Sequence, residues 1–162
     1  MIFRMKKILL VVAIFTCSLV KAQQEVSVDL LDALVFKTLE LKYEYYVSEQ
    51  SSVGMYALFN FNGESADINY NEDNMFTPYF RHYFSETGDI SYFGEVFMGI
   101  NSGNRNGIDY TDGALGIAAG GKYVSGGGLV IEGNIGIGRN LFNEDSYEIV
   151  PRFGINIGYR FN

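Results

Sequence analysis

Cysteine, tryptophan, proline and histidine are nearly missing from this chain, and each shortage closes off a class of protein. Its 162 residues hold one cysteine, two prolines, one histidine and no tryptophan. The cysteine, Cys17, falls within residues 1–22, which read as a secretory signal peptide. Arg4, Lys6 and Lys7 form a basic lead, Ile8 to Phe15 a short apolar run, and Val20-Lys21-Ala22 a small-residue cleavage pattern. Ile14-Phe15-Thr16 is a poor lipoprotein signal, because a small residue is expected just before the cysteine. Cleavage after Ala22 leaves a chain with neither disulfides nor a thiolate metal site.

Positive charge is scarce as well. Twelve Lys and Arg stand against 19 Asp and Glu, and four of the twelve (Arg4, Lys6, Lys7 and Lys21) belong to the leader. The remaining chain keeps eight basic residues against nineteen acidic ones, a net charge of −11. Nucleic acid is therefore not an expected partner, since its phosphates need a basic surface. No apolar run after the leader is long enough for a transmembrane helix.

Glycine, tyrosine and phenylalanine are what the chain has in quantity, at 19, 12 and 13 residues. They are laid out with a period of two. Leu39, Leu41, Tyr43, Tyr45 and Val47 alternate with Glu40, Lys42 and Glu44. Val53, Met55, Ala57, Phe59 and Phe61 form a second apolar set. Phe76, Phe80 and Phe84 oppose Thr77, Tyr79, Arg81 and Tyr83. Ile90, Tyr92, Val96, Met98 and Ile100 oppose Ser91, Glu95 and Gly99. Near the end, Phe153, Ile155, Ile157, Tyr159 and Phe161 alternate with Arg152, Gly154, Asn156, Gly158 and Arg160. This period predicts strands.

One stretch, GIAAGGKYVSGGG at 116–128, comes within a residue of a phosphate-binding loop. Gly116, Gly121 and Lys122 satisfy G-x-x-x-x-G-K, and only Tyr123 stands where Ser or Thr is required. Such a loop needs its glycines between a strand and a helix, with N–H groups aimed at the ligand. Here the alternation continues through the glycines: Leu115, Ile117, Ala119 and Tyr123 share one face, Gly116, Ala118, Gly120 and Lys122 the other. A second strand follows the SGGG turn, with Ile131, Ile135 and Ile137 against Glu132, Asn134, Gly136, Gly138 and Asn140. The nucleotide reading fails.

Short turns are predicted at 48–51, 85–89 and 125–128, and longer polar connections at 62–74, 101–112 and 142–147. That alternation describes an up-and-down meander of strands long enough to cross a bilayer, which takes about 9–11 tilted residues. Parity requires one more strand at the start. EVSVDLLDAL supplies it, with Val26, Val28 and Leu30 against Ser27 and Asp29 until Asp32 interrupts, and a turn near Val35 to Thr38. The expected fold over 23–162 is all-β, an eight-stranded antiparallel transmembrane barrel.

Two features put the polar face inside. Gly54, Gly99, Gly116, Gly120, Gly136, Gly138, Gly154 and Gly158 share its parity, which suits a narrow lumen and gains nothing on a wet exterior. Its charges also nearly cancel. Glu40, Glu44, Glu95 and Glu132 meet Lys42, Arg81, Lys122, Arg152 and Arg160, a set expected to form a paired structural network, with Lys122 and Glu132 opposite each other across a hairpin. The apolar face carries Arg139 only near its long-loop end. Tyr43, Tyr45, Tyr92, Tyr159 and Phe161 fall near the short-turn ends, and Tyr123 also falls at the membrane interface, as an aromatic girdle would. Pro78 and Pro151 lie just inside the long-loop ends, where a bulge is tolerable.

The closing GINIGYRFN resembles the C-terminal signal read by the outer-membrane barrel assembly machinery, with Asn162 added after the aromatic. DALVFKTLELKYEYYVSEQSSVG, TPYFRHYF and VPRFGINIGYRF resemble a family of small Bacteroidota outer-membrane barrels known as a domain of unknown function, and a leader ending KAQ fits that group. More broadly the chain is similar to the OmpA transmembrane domain and OmpX. The resemblance implies an outer-membrane location, with membrane lipid as surroundings and the assembly machinery as a partner during biogenesis.

Chemistry-bearing candidates are few. His82 has lipid-facing parity near a short turn and reads as an interfacial residue. Asp67, Asn69 and Asn71 start like a calcium loop, but Glu72 stands at the glycine position and Pro78 at the closing glutamate. Asp109 and Asp112 in the next connection are less specific still. The expectation is a non-enzymatic outer-membrane barrel without a cofactor or resident metal. It would have a side-chain-filled lumen and a structural or surface-interaction role through 62–74 and 101–112. A small-solute channel and a soluble periplasmic lipocalin-like barrel are the alternatives.

Overall fold

The computed structural model describes residues 23–60, 72–87, 89–105 and 107–161. The leader and the calcium-loop-like residues Asp67, Asn69 and Asn71 lie outside them, as does Phe61. Eight strands follow in order: β1 Gln24–Asp29, β2 Thr38–Tyr46, β3 Ser51–Asn60, β4 Glu72–Thr87, β5 Ile90–Arg105, β6 Ile108–Val124, β7 Leu129–Asn140 and β8 Ile149–Phe161. Each pairs antiparallel with its neighbour in sequence, and β1 pairs with β8 from Gln24↔Phe161 to Asp29↔Asn156 to close the barrel.

Alternation sorts the side chains into two environments. Ile100, Ile117 and Ile135 on the outer face are 65, 63 and 71% exposed, whereas Glu44, Arg81 and Asn156 on the inner face are 0% exposed. A barrel in water would do the reverse, so this is a wall built to stand in hydrocarbon. Arg139, the outward charge, pairs with Glu148 at 2.8 Å at the long-loop end.

Three sequence expectations need correction. The connection predicted over 101–112 is mostly ladder: β5 and β6 pair without a break from Ile90↔Tyr123 to Arg105↔Ile108. Its composition is polar, but its alternation persists, and Asn101, Tyr110 and Asp112 point inward and are buried. The ladder closes to Arg105↔Ile108, and Gly107 just before Ile108 takes φ 83°. Glu72–Asn74 likewise belong to β4, whose other end extends to Thr87, so the predicted turn at 85–89 is shorter too. The prolines, expected where a bulge is tolerable, stand in regular ladder. Pro78 pairs in register with Met55 and Pro151 with Ile137, and the irregularities lie between Glu72 and Asn74 and between Tyr83 and Ser85.

β1 stops early for a local reason. The Asp29 carboxylate accepts from the N–H groups of Leu31 at 2.8 Å and Asp32 at 3.1 Å, giving the backbone an alternative to the ladder. A π-helical turn, Asp32–Phe36, follows and ends at Lys37, whose φ of 53° is left-handed.

Inside, glycine is a matter of space. A Cβ on Gly116 would meet Phe97 Cζ at 2.3 Å and the Gly138 Cα at 2.6 Å, whereas one on the outward Gly133 would meet nothing within 4 Å. Gly116→Ala is therefore expected to destabilise the folded barrel by about 1–3 kcal/mol through overpacking. Gly133→Ala should leave stability unchanged or raise it by up to ~1 kcal/mol. Urea titration in micelles, read by the heat-dependent gel shift of the folded band, checks both.

Candidate functional site in the charged lumen

Two-residue spacing on β2 sends Glu40, Lys42 and Glu44 into the lumen one above another. β4 contributes Arg81, β5 Glu95, β6 Lys122, β7 Glu132, and β8 Arg152 and Arg160. Arg81 is the hub. Its Nη1 donates to Glu132 at 2.7 Å and Glu44 at 3.1 Å, and its Nη2 to Glu95 at 2.7 Å and to the Tyr56 hydroxyl at 2.8 Å. Its Nε donates to Glu95 at 3.1 Å. The guanidinium also lies 3.6 Å from the Phe93 ring centroid. All three nitrogens are thus engaged by fixed partners, so the most central cation is committed to the protein itself.

The remaining charges connect to this hub. Lys122 donates to Glu25 at 2.6 Å and Glu44 at 2.8 Å, and pairs with Glu132 at 3.3 Å. Lys122 and Glu132 are direct cross-strand partners. Lys42 contacts Glu132 closely and lies 3.3 Å from Glu44. Glu44 further accepts from Ser52 at 2.6 Å, Tyr83 at 2.7 Å and Tyr79 at 3.1 Å. Arg160 Nε donates to Glu25 at 2.7 Å. Arg152 joins the upper end, 3.5 Å from Glu40 and 3.9 Å from Glu95, with its guanidinium 3.6 Å from the Tyr56 centroid. All nine charged residues singled out in the sequence are therefore in the lumen and in one connected set.

The sequence reading omitted Glu25, which bridges Lys122 and Arg160. Its parity in β1 was the available signal. It also passed over Tyr46, Tyr56, Phe93 and Phe97, which share the inward parity and surround the guanidinium and ammonium groups. With Glu25, five carboxylates face five cations in this network, so burial leaves no net charge in it.

Above the network the lumen changes character. Leu58, Met75, Ala114 and Val150 form a buried apolar layer. Glu40, Met75, Phe97, Val150, Pro151 and Arg152 line a cavity of about 10 Å³, room for about one water. Asp112 accepts from the N–H groups of Phe142 and Asn143 at 2.9 and 3.1 Å and from the Ser146 hydroxyl at 2.6 Å, which ties the β7–β8 connection to β6. Asp109 accepts from Asn104 at 2.7 Å. Among the described residues, no group of three His, Cys, Asp or Glu side chains is arranged to hold a metal ion. His82 is on the outer face, with Nδ1 3.0 Å from Ser51 Oγ. In the connection after β1, burial pushes the Asp32 carboxyl up to about 7, with Glu40 and Asp29 adding repulsion and Arg152 offsetting part of it.

No family model matches the chain, and no curated protein matches it. Among solved structures, Neisserial surface protein A is similar over 86% of this chain and 92% of its own, at 13% identity and a TM-score of 0.50. The Yersinia pestis outer membrane protein Ail, in a phospholipid bilayer nanodisc, matches over 87% of this chain and 100% of its own, at 16% identity and a TM-score of 0.48. At such identities the likeness to Neisserial surface protein A concerns the fold, the eight-stranded transmembrane barrel derived above.

Removing the hub would leave Glu44, Glu95 and Glu132 short of positive charge. Arg81→Leu should cost about 3–5 kcal/mol of barrel stability, the penalty of an uncompensated buried charge. Arg139→Ala, which breaks an exposed pair, should change it by about 0–1 kcal/mol. Chemical unfolding in micelles, followed by circular dichroism, measures the difference.

Proposed function

We propose that this chain is an integral outer-membrane barrel of a Gram-negative cell, secreted with the leader at 1–22, with the lumen plugged by its own side chains. Its role in this reading is structural or one of surface interaction, without catalysis. The carrying observation is the inversion of the wall: large apolar side chains are exposed all round, while the charged ones are packed inside. Tyr43, Tyr92, Tyr159 and Phe161 stay exposed at the short-turn end, at the level where interfacial aromatics anchor a barrel. The leader supplies the route out of the cytoplasm, and an eight-stranded wall in hydrocarbon points to the outer membrane.

The plugged lumen follows from the engagement of Arg81, Lys42 and Lys122 by fixed carboxylates, which leaves about one water's volume in the cavity above them. Interaction with the surroundings then falls to the long-loop end. There the β5–β6 hairpin, rather than a loose loop at 101–112, carries its ladder on to Arg105↔Ile108, while most of the acidic sequence expected to share this role, 62–71, lies outside the described residues. The resemblance to small Bacteroidota barrels supports the same location, and biogenesis would engage the barrel assembly machinery through the C-terminal GINIGYRFN.

Cell fractionation tests the location. The protein should stay with outer membranes through a carbonate wash and migrate differently on gels before and after boiling. A protein that washes off and shows no heat shift would be a soluble periplasmic barrel. In planar bilayers the wild-type protein should give no stable single-channel steps; such steps would identify a small-solute channel and displace the plug.

A further inference from the structure

Above Asp29 the wall is not a ladder. β1 pairs with β2 only as far as Val28↔Leu41 and with β8 only as far as Asp29↔Asn156. β2 nevertheless begins at Thr38 and β8 at Ile149, so three residues of β2 and seven of β8 continue without a β1 partner. Residues 30–37 occupy that place as a helical turn. A helix rises about 1.5 Å per residue where a strand rises about 3.3 Å, so the segment spans less than half the height of the strand it replaces. Among the described side chains its ties are local: the Asp29 carboxylate at the start and the Thr38 hydroxyl donating to the Asp32 carbonyl at 3.4 Å. Leu34 on its outer side is 78% exposed.

Charge is crowded beneath this segment. Asp32, 3% exposed, faces Asp29 from β1, Glu40 from β2 and Arg152 from β8. Lys37, at the far end of the turn, is exposed. Arg152 is the cation at this level, and it is already shared between Glu40 and Glu95. Three carboxylates and one shared guanidinium cannot all be ionised in a buried space without strong repulsion. Asp29 is fixed at the end of β1, where its carboxyl accepts from the N–H groups of Leu31 and Asp32, and Glu40 is fixed in β2. Asp32 belongs to the element that can move.

We propose that residues 30–37 are a proton-latched lid, seated over the seam between β2 and β8 while Asp32 is protonated and released when it ionises. Release uncovers the charged groups that Asp32 faces, Asp29, Glu40 and Arg152. The direction follows from the raised carboxyl. Below the ordinary aspartate range both states are protonated and seating is undisturbed. As pH climbs from there to about 7, the released state gives up its proton first and seating weakens. Across that window the closed-to-open ratio falls by up to roughly a thousandfold, the spread between an ordinary and a raised carboxyl.

Hydrogen exchange by mass spectrometry, on the full chain folded in nanodiscs from pH 4.5 to 8.5, tests this. Each rate is divided by the intrinsic rate at its pH. Protection of amides 30–37 should fall by two to three orders of magnitude, roughly the span above, while the β4–β6 amides stay level. Asp32→Asn should keep the segment protected throughout, and Glu40→Gln should shrink the fall by removing one repelling charge. Level protection of 30–37 in the wild type overturns the lid, as does a wild-type profile in Asp32→Asn. If Asp32→Asn gives no heat-shifted folded band, Glu40→Gln decides: an undiminished fall overturns the proposal.

Discussion

A wall standing in hydrocarbon must satisfy its backbone N–H and C=O groups from within, and closure of the β1–β8 ladder is the condition on which the rest of this structure depends. Closure at eight strands fixes a lumen just wide enough for side chains. Inward positions must then be shared between large and small residues. The rings of Phe93 and Phe97 can point across the lumen because Gly120 and Gly116 face them with no Cβ. The same narrowness forces Tyr56 and Tyr79 into contact, their centroids 4.7 Å apart.

The charges obey a second condition that closure imposes. Ions taken out of water lose hydration worth several kcal/mol each, roughly, and recover it only with good geometry and complete hydrogen bonding. Glu44 shows how completeness is reached: Arg81, Lys122, Tyr79, Tyr83 and Ser52 all donate to its two oxygens. Aromatic rings above and below the guanidinium groups add attraction without adding charge. A network of this kind is no more stabilising than a well-packed apolar core would be, but it fixes which strands face which. A slip of one residue would turn every one of these ions toward lipid.

Much of this was legible because a membrane barrel writes its two faces into the sequence at the simplest period. Glu40, Lys42 and Glu44 were placed correctly by parity alone, and so was the Lys122–Glu132 pairing across the SGGG hairpin. Composition, by contrast, misled where alternation did not. Asn101, Asp109 and Asp112 look like loop residues, yet they continue β5 and β6 because an antiparallel hairpin beyond the bilayer has no need of apolar side chains. Tyr56, Phe93 and Phe97 were overlooked for the opposite reason: an aromatic in the lumen packs against cations, and nothing about its own identity distinguishes it from one facing lipid. The π-helical turn left a trace in the interruption at Asp32, but its form depends on Asp29 capping two N–H groups, a contact that period and composition do not encode.

Glu25 gives the barrel its long-range connectivity. It meets Lys122 across 97 residues of sequence and Arg160 across 135, and it lies on the strand that completes the wall. Until β1 reaches β8, Lys122 and Arg160 lack this counter-charge, so a seven-stranded intermediate is both open at its edges and electrically incomplete. Backbone closure and charge neutrality are reached in the same event. That coupling ties the register of the seam to the packing of the lumen, because Glu25 belongs to both.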